Sequence, residues 1–335
     1  MEAPNDEMYT VTQAIIIDTD PGVDDAMAIA LALAHPDIEL LGLTTVFGNV
    51  SVSQGTHNAL LLLEHFGVEP GAIPVAEGAA VPLVQAPQPH ADFVHGADGL
   101  GNTNLASPQG QPDGRDAAQF IIDSARARPG EISLVAVGPL TNVQQAFERE
   151  PELAQWLKQL VIMGGAVDEP GNVSPVAEAN FFNDPHAADA VLGAGCNTMI
   201  VGLDVTHRAM LMDTRLQRLR DCGNPMGQFL WDASRFYVNF YTTRESAVIT
   251  EPGCAMHDAA AVAYLVAADA FECVSAAARV AEDGVAVGQL IINRDGYTYM
   301  VPYWENRPPV TVGMDVDGSR ITELFLDTVC AYSQA

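Results

Sequence analysis

The apolar run Ala14-Ile15-Ile16-Ile17 passes without a break into Asp18-Thr19-Asp20-Pro21-Gly22-Val23-Asp24-Asp25, and the residues from Val23 to Ala34 are then spaced as a helix that stops near His35-Pro36. A buried strand, a tight acidic turn and a helix in direct succession form the first unit of an α/β fold. Helix capping explains part of the acidic run. Asp20 reads as the N-cap, Pro21 as the first helical residue, and Asp24 and Asp25 as acids near the positive helix end. Capping does not account for all of it, because four carboxylates within eight residues repel one another unless a cation offsets them. With no His or Cys among them, such hard oxygen ligands suit Ca²⁺ or Mg²⁺ rather than zinc.

The same alternation continues along the chain. Strands are expected at Glu39–Val46, Ala72–Ala76, Ile132–Val137, Leu160–Met163 and Met199–Leu203. Helices are expected over Ser53–Phe66, Asp116–Arg128, Asp213–Arg244 and Asp258–Ala268. This pattern predicts an open, mostly parallel, Rossmann-like sheet with helices on both faces and ligands at the C-terminal ends of the strands. Residues 77–115, rich in Gly, Pro, Asn and Asp, are expected to be a long irregular stretch of the lid or binding-loop kind. From about Cys273 to Thr328 the pattern turns hairpin-like, with turns at Asp283-Gly284, Arg294-Asp295-Gly296 and Asp317-Gly318. With no internal repeat or low-complexity linker, one domain over residues 1–335 is the expectation. It would have a polar N-terminal extension (1–12) and a β-rich C-terminal portion (about 273–330) on the same body.

Composition excludes several partners. The formal charge is −28, and Lys158 is the only lysine. Such a surface repels phosphate backbones, so neither nucleic acid nor an anionic membrane is expected to bind. Met1 to Thr12 has neither a basic nor an apolar segment, so no secretory leader is expected, and no apolar run is long enough for a membrane span. The five cysteines (Cys196, Cys222, Cys254, Cys273, Cys330) are scattered and odd in number, which predicts reduced thiols in a cytoplasm rather than disulfides or zinc.

Polar residues gather where the strands should end: the acidic run, Asn49, Val137-Gly138-Pro139, the stretch with Asn172, Glu178 and Asn180, and His257-Asp258. Each has an ordinary explanation by itself. Asp258 reads as a helix N-cap, the Asn172–Asn180 group as turn residues, and His95 as a solvated loop histidine.

As an ordered set, these segments resemble the inosine–uridine preferring nucleoside hydrolase family. The resemblance rests on Asp18–Asp25, Phe47-Gly48-Asn49-Val50, Val94-His95-Gly96, Gly138-Pro139-Leu140-Thr141-Asn142, Met163-Gly164-Gly165, Gly171-Asn172-Val173, Glu178-Ala179-Asn180 and His257-Asp258, and covers roughly residues 14 to 330. It implies Ca²⁺-dependent hydrolysis of the N-glycosidic bond of ribonucleosides through an oxocarbenium-like state. By the same resemblance, Asp20, Asp25, Asp258 and the carbonyl of Val137 would hold the metal, and Asp24 would be the general base on a metal-bound water. Asn49, Asn172, Glu178 and Asn180 would hold the ribose. His95 would line the pocket, and His257 would assist base departure, carrying a proton near neutral pH at its ordinary pKa of ~6.5. Tyr237, Tyr241, Arg244 and Glu245 fall where the base pocket should be, with no role implied for any of them. A homo-oligomer, dimer or tetramer, is implied by analogy. Two other readings stand beside this one: a haloacid-dehalogenase-like phosphatase using Asp18, Asp20 and Mg²⁺, and a non-catalytic nucleoside-binding protein on the same fold.

Overall fold

A computed structural model describes residues 12–244 and 251–333. The first half runs β1 (Gln13–Thr19), α1 (Val23–Ala34), β2 (Ile38–Thr45), α2 (Val52–His65), β3 (Val75–Glu77), α3 (Asp92–His95), α4 (Ala117–Ala127), β4 (Ile132–Ala136), α5 (Thr141–Arg149), α6 (Leu153–Trp156) and β5 (Gln159–Met163). The second half runs α7 (Ala179–Asn183), α8 (Pro185–Leu192), β6 (Thr198–Val201), α9 (Leu203–Thr206), β7 (Met210–Met212), α10 (Asp213–Asp221), α11 (Pro225–Arg244), β8 (Gly253–Ala255), α12 (His257–Tyr264), β9 (Phe271–Val280), β10 (Leu290–Asn293), β11 (Pro309–Val316) and α13 (Gly318–Ala331).

Nine strands form one sheet in the order β10-β9-β11-β6-β5-β4-β1-β2-β3, and β7 pairs with β8 apart from it. The strands from β3 to β6, with β11 beside β6, are parallel; β9 and β10 add an antiparallel edge. Side-chain alternation along β1 shows how the sheet is covered. Ile15 and Ile17 pack into a core with α1, α2 and α12, while Ala14 and Ile16 pack into a second core with α4, α5 and α8. All three isoleucines are fully buried, each stabilising the fold by roughly 1.5–3 kcal/mol. The α/β fold with helices on both faces is therefore present as the sequence predicts.

Strand order reverses at β1, which has β2 on one side and β4 on the other. Open α/β sheets bind ligands in the crevice at such a reversal. The connections leaving the C-terminal ends of β1, β2, β4, β5 and β6 carry Asp20–Asp25, Asn49, Val137, Asn172–Asn180 and Asp204–Thr206.

Several local expectations change. The helix expected over 213–244 is two helices, broken at Gly223, which takes a left-handed φ of +82°, with Pro225 opening the next helix. Leu203 begins the short helix α9 rather than ending a strand. Asp283-Gly284 lies in the hairpin connection from β9 to β10, and Arg294-Asp295 is a turn, but Asp317-Gly318 is no hairpin turn. Asp317 accepts the Arg320 N–H at 3.0 Å and caps α13, whose 14 residues were expected to be β-rich. At the front of the chain α1 begins at Val23, with Gly22 in the N-cap place. Asp20 and Pro21 therefore precede the helix, and Asp25 caps it by accepting the Gly22 N–H at 2.8 Å.

Candidate active site

Helices α1 and α12 pack together and bring their first turns to the same rim. One carboxylate oxygen from each of Asp24, Asp25 and Asp258 lies within 4.8 Å of the others. All three are buried, as is Asp20 beside them. The positive ends of the two helices favour these anions by about 0.3–1 kcal/mol each. That does not offset the crowding. Burial, then the charges of Asp24, Asp25 and Asp20, push the Asp258 carboxyl well above its ordinary range. Burial and then Asp25 do the same to Asp20.

Hydrogen bonds fix much of the cluster. Asp25 accepts from the backbone of Asp20 at 3.2 Å, from Asn49 Nδ2 at 3.1 Å and from the Thr19 hydroxyl. Asp20 Oδ2 accepts the Asn49 N–H at 2.7 Å. A Cβ at Gly48 would lie 2.0 Å from that oxygen, and one at Gly138 would lie 2.7 Å from Asp20 Oδ1, so both positions require glycine for close approach. Two buried oxygens, Asp20 Oδ1 and Asp24 Oδ1, accept no hydrogen bond; His95 Nδ1 lies 3.8 Å from Asp24 Oδ1, and no Arg or Lys pairs with the cluster among the described residues. Buried carboxyl oxygens left without hydrogen bonds and converging from several segments suit a hard cation, whose charge would offset the burial that raises them.

A cavity of about 290 Å³ opens above this cluster. Asp24, Asn49, His95, Val137, Asn172, Glu178, Asn180, His257 and Asp258 all line it, so nine of the eleven residues expected at the site reach one space, while Asp20 and Asp25 lie behind it. Glu178 caps α7: its oxygens accept from the backbones of Gly165, Asn180 and Phe181 at 2.9, 2.8 and 3.2 Å. Asn180 Nδ2 donates to the carbonyls of Val137 at 2.8 Å and Met163 at 3.2 Å, tying it to the ends of β4 and β5.

The opposite wall is aromatic. Tyr237 and Tyr241, one turn apart on α11, meet edge to face at 5.0 Å. A hydrogen-bonded chain runs from the carboxylate cluster along this wall. Tyr237 Oη donates to Asp24 Oδ2 at 3.2 Å and lies 3.4 Å from Tyr241 Oη, which is 2.6 Å from His257 Nε2. His257 Nδ1 is 2.7 Å from Thr206 Oγ1. His95 is not the solvated loop residue its ordinary explanation supposed. It is buried at the end of α3, stacked 5.3 Å from Tyr237, with Nδ1 accepting the Val23 N–H at 3.2 Å.

Burial corrects the expected state of His257. It pushes the imidazole down to about 3, so the side chain is neutral at neutral pH and does not hold the proton its ordinary pKa would allow. Asp24 moves the other way: burial raises it to about 6.

The phosphatase reading fails on geometry. Asp18 does not line the cavity. It is buried beneath it, accepting from the Thr44 hydroxyl at 2.5 Å and Asn142 Nδ2 at 2.8 Å, and it braces β1, β2 and α5. Lys158 is exposed and bonded to Gln13 at the far end of β1, where no phosphoryl group at the rim could reach it. Of the other residues expected near the base, Arg244 ends α11 and Glu245 lies outside the described residues.

Sequence reasoning missed Phe93, Phe240, His207, Thr206 and Asp204. The first three line the cavity. A signal for the last two was present: Ile200-Val201-Gly202-Leu203-Asp204 repeats the apolar-strand-then-acid pattern of the first strand.

This combination of a crevice at a strand-order reversal, a buried carboxylate cluster and an aromatic wall defines a site suited to a hard cation beside a small polar ligand. The family model for inosine–uridine preferring nucleoside hydrolases matches residues 15–323. Uridine nucleosidase 1 of Arabidopsis thaliana is 37% identical over 321 residues, covering 95% of this chain and 94% of that protein. The inosine-uridine preferring nucleoside hydrolase of Leishmania major is 40% identical over 254 residues, covering 75% and 78%. The plant nucleoside hydrolase PpNRh1 superposes with a TM-score of 0.91 at 38% identity, over 96% of this chain and 99% of that one. The chain belongs to the inosine–uridine preferring nucleoside hydrolase family, and its reaction is hydrolysis of the N-glycosidic bond of ribonucleosides to free base and ribose.

Proposed function

We propose that the chain is a calcium-dependent ribonucleoside hydrolase in which Asp24 is the general base. One observation carries this reading. Among the described residues, Asp24 alone touches both the carboxylate cluster and the hydrogen-bonded chain to His257, and it does so at the cavity surface.

Asp20, Asp25, Asp258 and the Val137 carbonyl would hold Ca²⁺; two oxygens left without hydrogen bonds and an all-oxygen donor set fit a hard ion. When bound, such an ion supplies positive charge that acidifies water and grips a sugar diol. The remaining steps fall to the chain itself. Tyr237 fixes Asp24 through Oδ2, leaving Oδ1 to accept the proton of the attacking water. A carboxyl raised to about 6 is a better base than one at its ordinary value, while remaining mostly ionised above that pH. Asn49, Asn172, Glu178 and Asn180 orient the ribose, and their oxygens stabilise the positive charge that grows on the ring. Because His257 is neutral, the proton for the departing base is the one shared between Tyr241 Oη and His257 Nε2, and the proton that Asp24 takes from the water replaces it, so none is gained or lost over the reaction. Phe93, Tyr237, Phe240 and Tyr241 exclude water around the base.

Uridine and inosine are both proposed substrates, uridine first, a preference supported by relatives named uridine nucleosidases at 37–38% identity. A dimer or tetramer and a cytoplasmic setting belong to the same proposal. The latter is supported by the five free cysteines. The deciding experiment is a nucleoside panel assayed for free ribose with calcium and with a chelator. Ribose released only with calcium supports the reading. Ribose release that survives chelation removes the metal assignment, and phosphate release from a phosphomonoester with no ribose from any nucleoside overturns the function.

A further inference from the structure

Asp204 takes part in no step above, yet it is 2% exposed. Its carboxylate accepts three consecutive backbone N–H groups, from Val167 at 2.8 Å, Asp168 at 2.7 Å and Glu169 at 3.0 Å. Those residues open the loop whose next members, Pro170 to Val173, line the cavity and include Asn172. Two residues beyond Asp204, the fully buried Thr206 places its hydroxyl 2.7 Å from His257 Nδ1. The turn is pinned close: Leu203 N–H donates to the Gly165 carbonyl at 2.9 Å, and a Cβ at Gly202 would lie 2.7 Å from that carbonyl oxygen. One four-residue segment at the end of β6 therefore braces the ribose loop and the imidazole on the base side at once.

We propose that Asp204 and Thr206 are positioning residues for the two halves of the reaction: Asp204 sets the loop of Asn172 for ribose binding, and Thr206 sets the imidazole of His257 for departure of the base. This rests on the roles proposed above for Asn172 and His257. The chemistry fits the residue types. A carboxylate offers several lone pairs and can satisfy three converging N–H groups, whereas an amide has one acceptor oxygen and turns a donor toward them. A hydroxyl can donate to or accept from Nδ1, so Thr206 supports either tautomer of His257. Outer partners of this kind commonly alter affinity or rate by about 10–100-fold while touching no substrate.

The test compares Asp204→Asn, Asp204→Ala, Thr206→Val and Thr206→Ser in the full chain with calcium. Uridine and p-nitrophenyl riboside, which leaves without a proton, serve as substrates, and ribose affinity is measured by calorimetry. The Asp204 variants should raise KM for both substrates, and Kd for ribose, by roughly tenfold, with kcat moving less than about threefold. Thr206→Val should lower kcat on uridine by roughly tenfold and leave the nitrophenyl riboside within about twofold; Thr206→Ser should restore most of it. Ribose affinity unchanged in Asp204→Asn would overturn the first half even if Asp204→Ala fails to fold. An equal loss on both substrates in Thr206→Val, or no rescue by serine, would overturn the second. Absence of wild-type turnover of either substrate would instead remove the hydrolase reading itself, so the two failures are separable.

Discussion

The floor and the aromatic wall of the cavity are assembled in different ways. On the floor and just behind it, Glu178, Asn180, Asp20 and Asp25 are fixed mainly by backbone groups, amides of Asn49, Gly22, Gly165 and Phe181 and carbonyls of Val137 and Met163, with the Thr19 and Asn49 side chains adding to Asp25. On the wall, side chains hold one another: His95 against Tyr237, Tyr237 against Tyr241, and Phe240 against Phe93 at 5.8 Å, with Tyr241 bonded to His257. Backbone anchoring ties the floor to the sheet itself, so a change there alters the reaction common to every substrate. Side-chain anchoring allows the wall to be recut one residue at a time without disturbing the sheet. Under the roles proposed above, the difference would place ribose chemistry in the part that resists change and base preference in the part that tolerates it.

Substitutions in the two regions should therefore have different signatures. The largest effect is expected on the floor. Asp24→Asn should lower kcat by about 10³-fold or more on every nucleoside, within the range for loss of a general base, while calcium still raises Tm. Near-normal turnover would move the base to Asp20. On the wall, His257→Ala should lower kcat on uridine and inosine by about 10²-fold and spare p-nitrophenyl riboside. An equal loss on that activated substrate would show that the wall acts on the sugar after all. Tyr241→Phe, which keeps the ring and removes the hydroxyl, should cost about tenfold and change the ratio of uridine to inosine turnover. An unchanged ratio would deny the wall its part in base preference.

The smallest effect is thermal and belongs to the floor. Burial raises Asp18 to about 7 and Asp24 to about 6 in the folded chain, above their unfolded value of 3.8. Each therefore favours the metal-free fold below pH 3.8, and that contribution is lost as pH rises through 6 and 7. His95 and His257 oppose this trend: burial lowers them to about 4 and about 3, so their contribution is present above 6.5 and lost on acidification. Asp20, Asp25, Asp258 and Glu178 are raised by burial as well, so the raised carboxyls outnumber the lowered buried histidines and metal-free Tm should fall as pH rises from 4 to 6.5. The rise in Tm caused by calcium, which needs ionised carboxylates, should grow by a few degrees from pH 5 to 7.5. Differential scanning calorimetry with and without chelator reads both, and a calcium shift independent of pH would contradict carboxylate ligation.

The same division explains what the sequence disclosed. The sheet and most of the floor were legible, because strand periodicity places the rim and the acids of Asp18–Asp25 stand next to the strand that positions them. Even there, which acid caps the helix was misread: Asp25 does so rather than Asp20, since cap geometry depends on backbone angles that residue type does not specify. The wall was only half legible. Tyr237 and Tyr241 fell in the right region, but their link to Asp24 and His257 joins residues far apart in the chain, which no local pattern encodes. The state of His257 was unreadable for a related reason, because burial is a property of the assembled fold. The C-terminal helix was missed because its capping Asp317-Gly318 is also a common turn sequence.

The meeting of α1 with α12 has a consequence for how the chain matures. Asp24 and Asp258 come from opposite ends of the sequence, so their cluster cannot exist until the late helix docks on the early one. Contacts of such long sequence separation form slowly, after the intervening strands have closed their loops. During synthesis the acidic turn at the front of the chain must wait for Asp258, 234 residues after Asp24, to emerge. Closing of the carboxylate cluster is then a late event, and α12 completes it on a sheet that still awaits β9, β10 and β11.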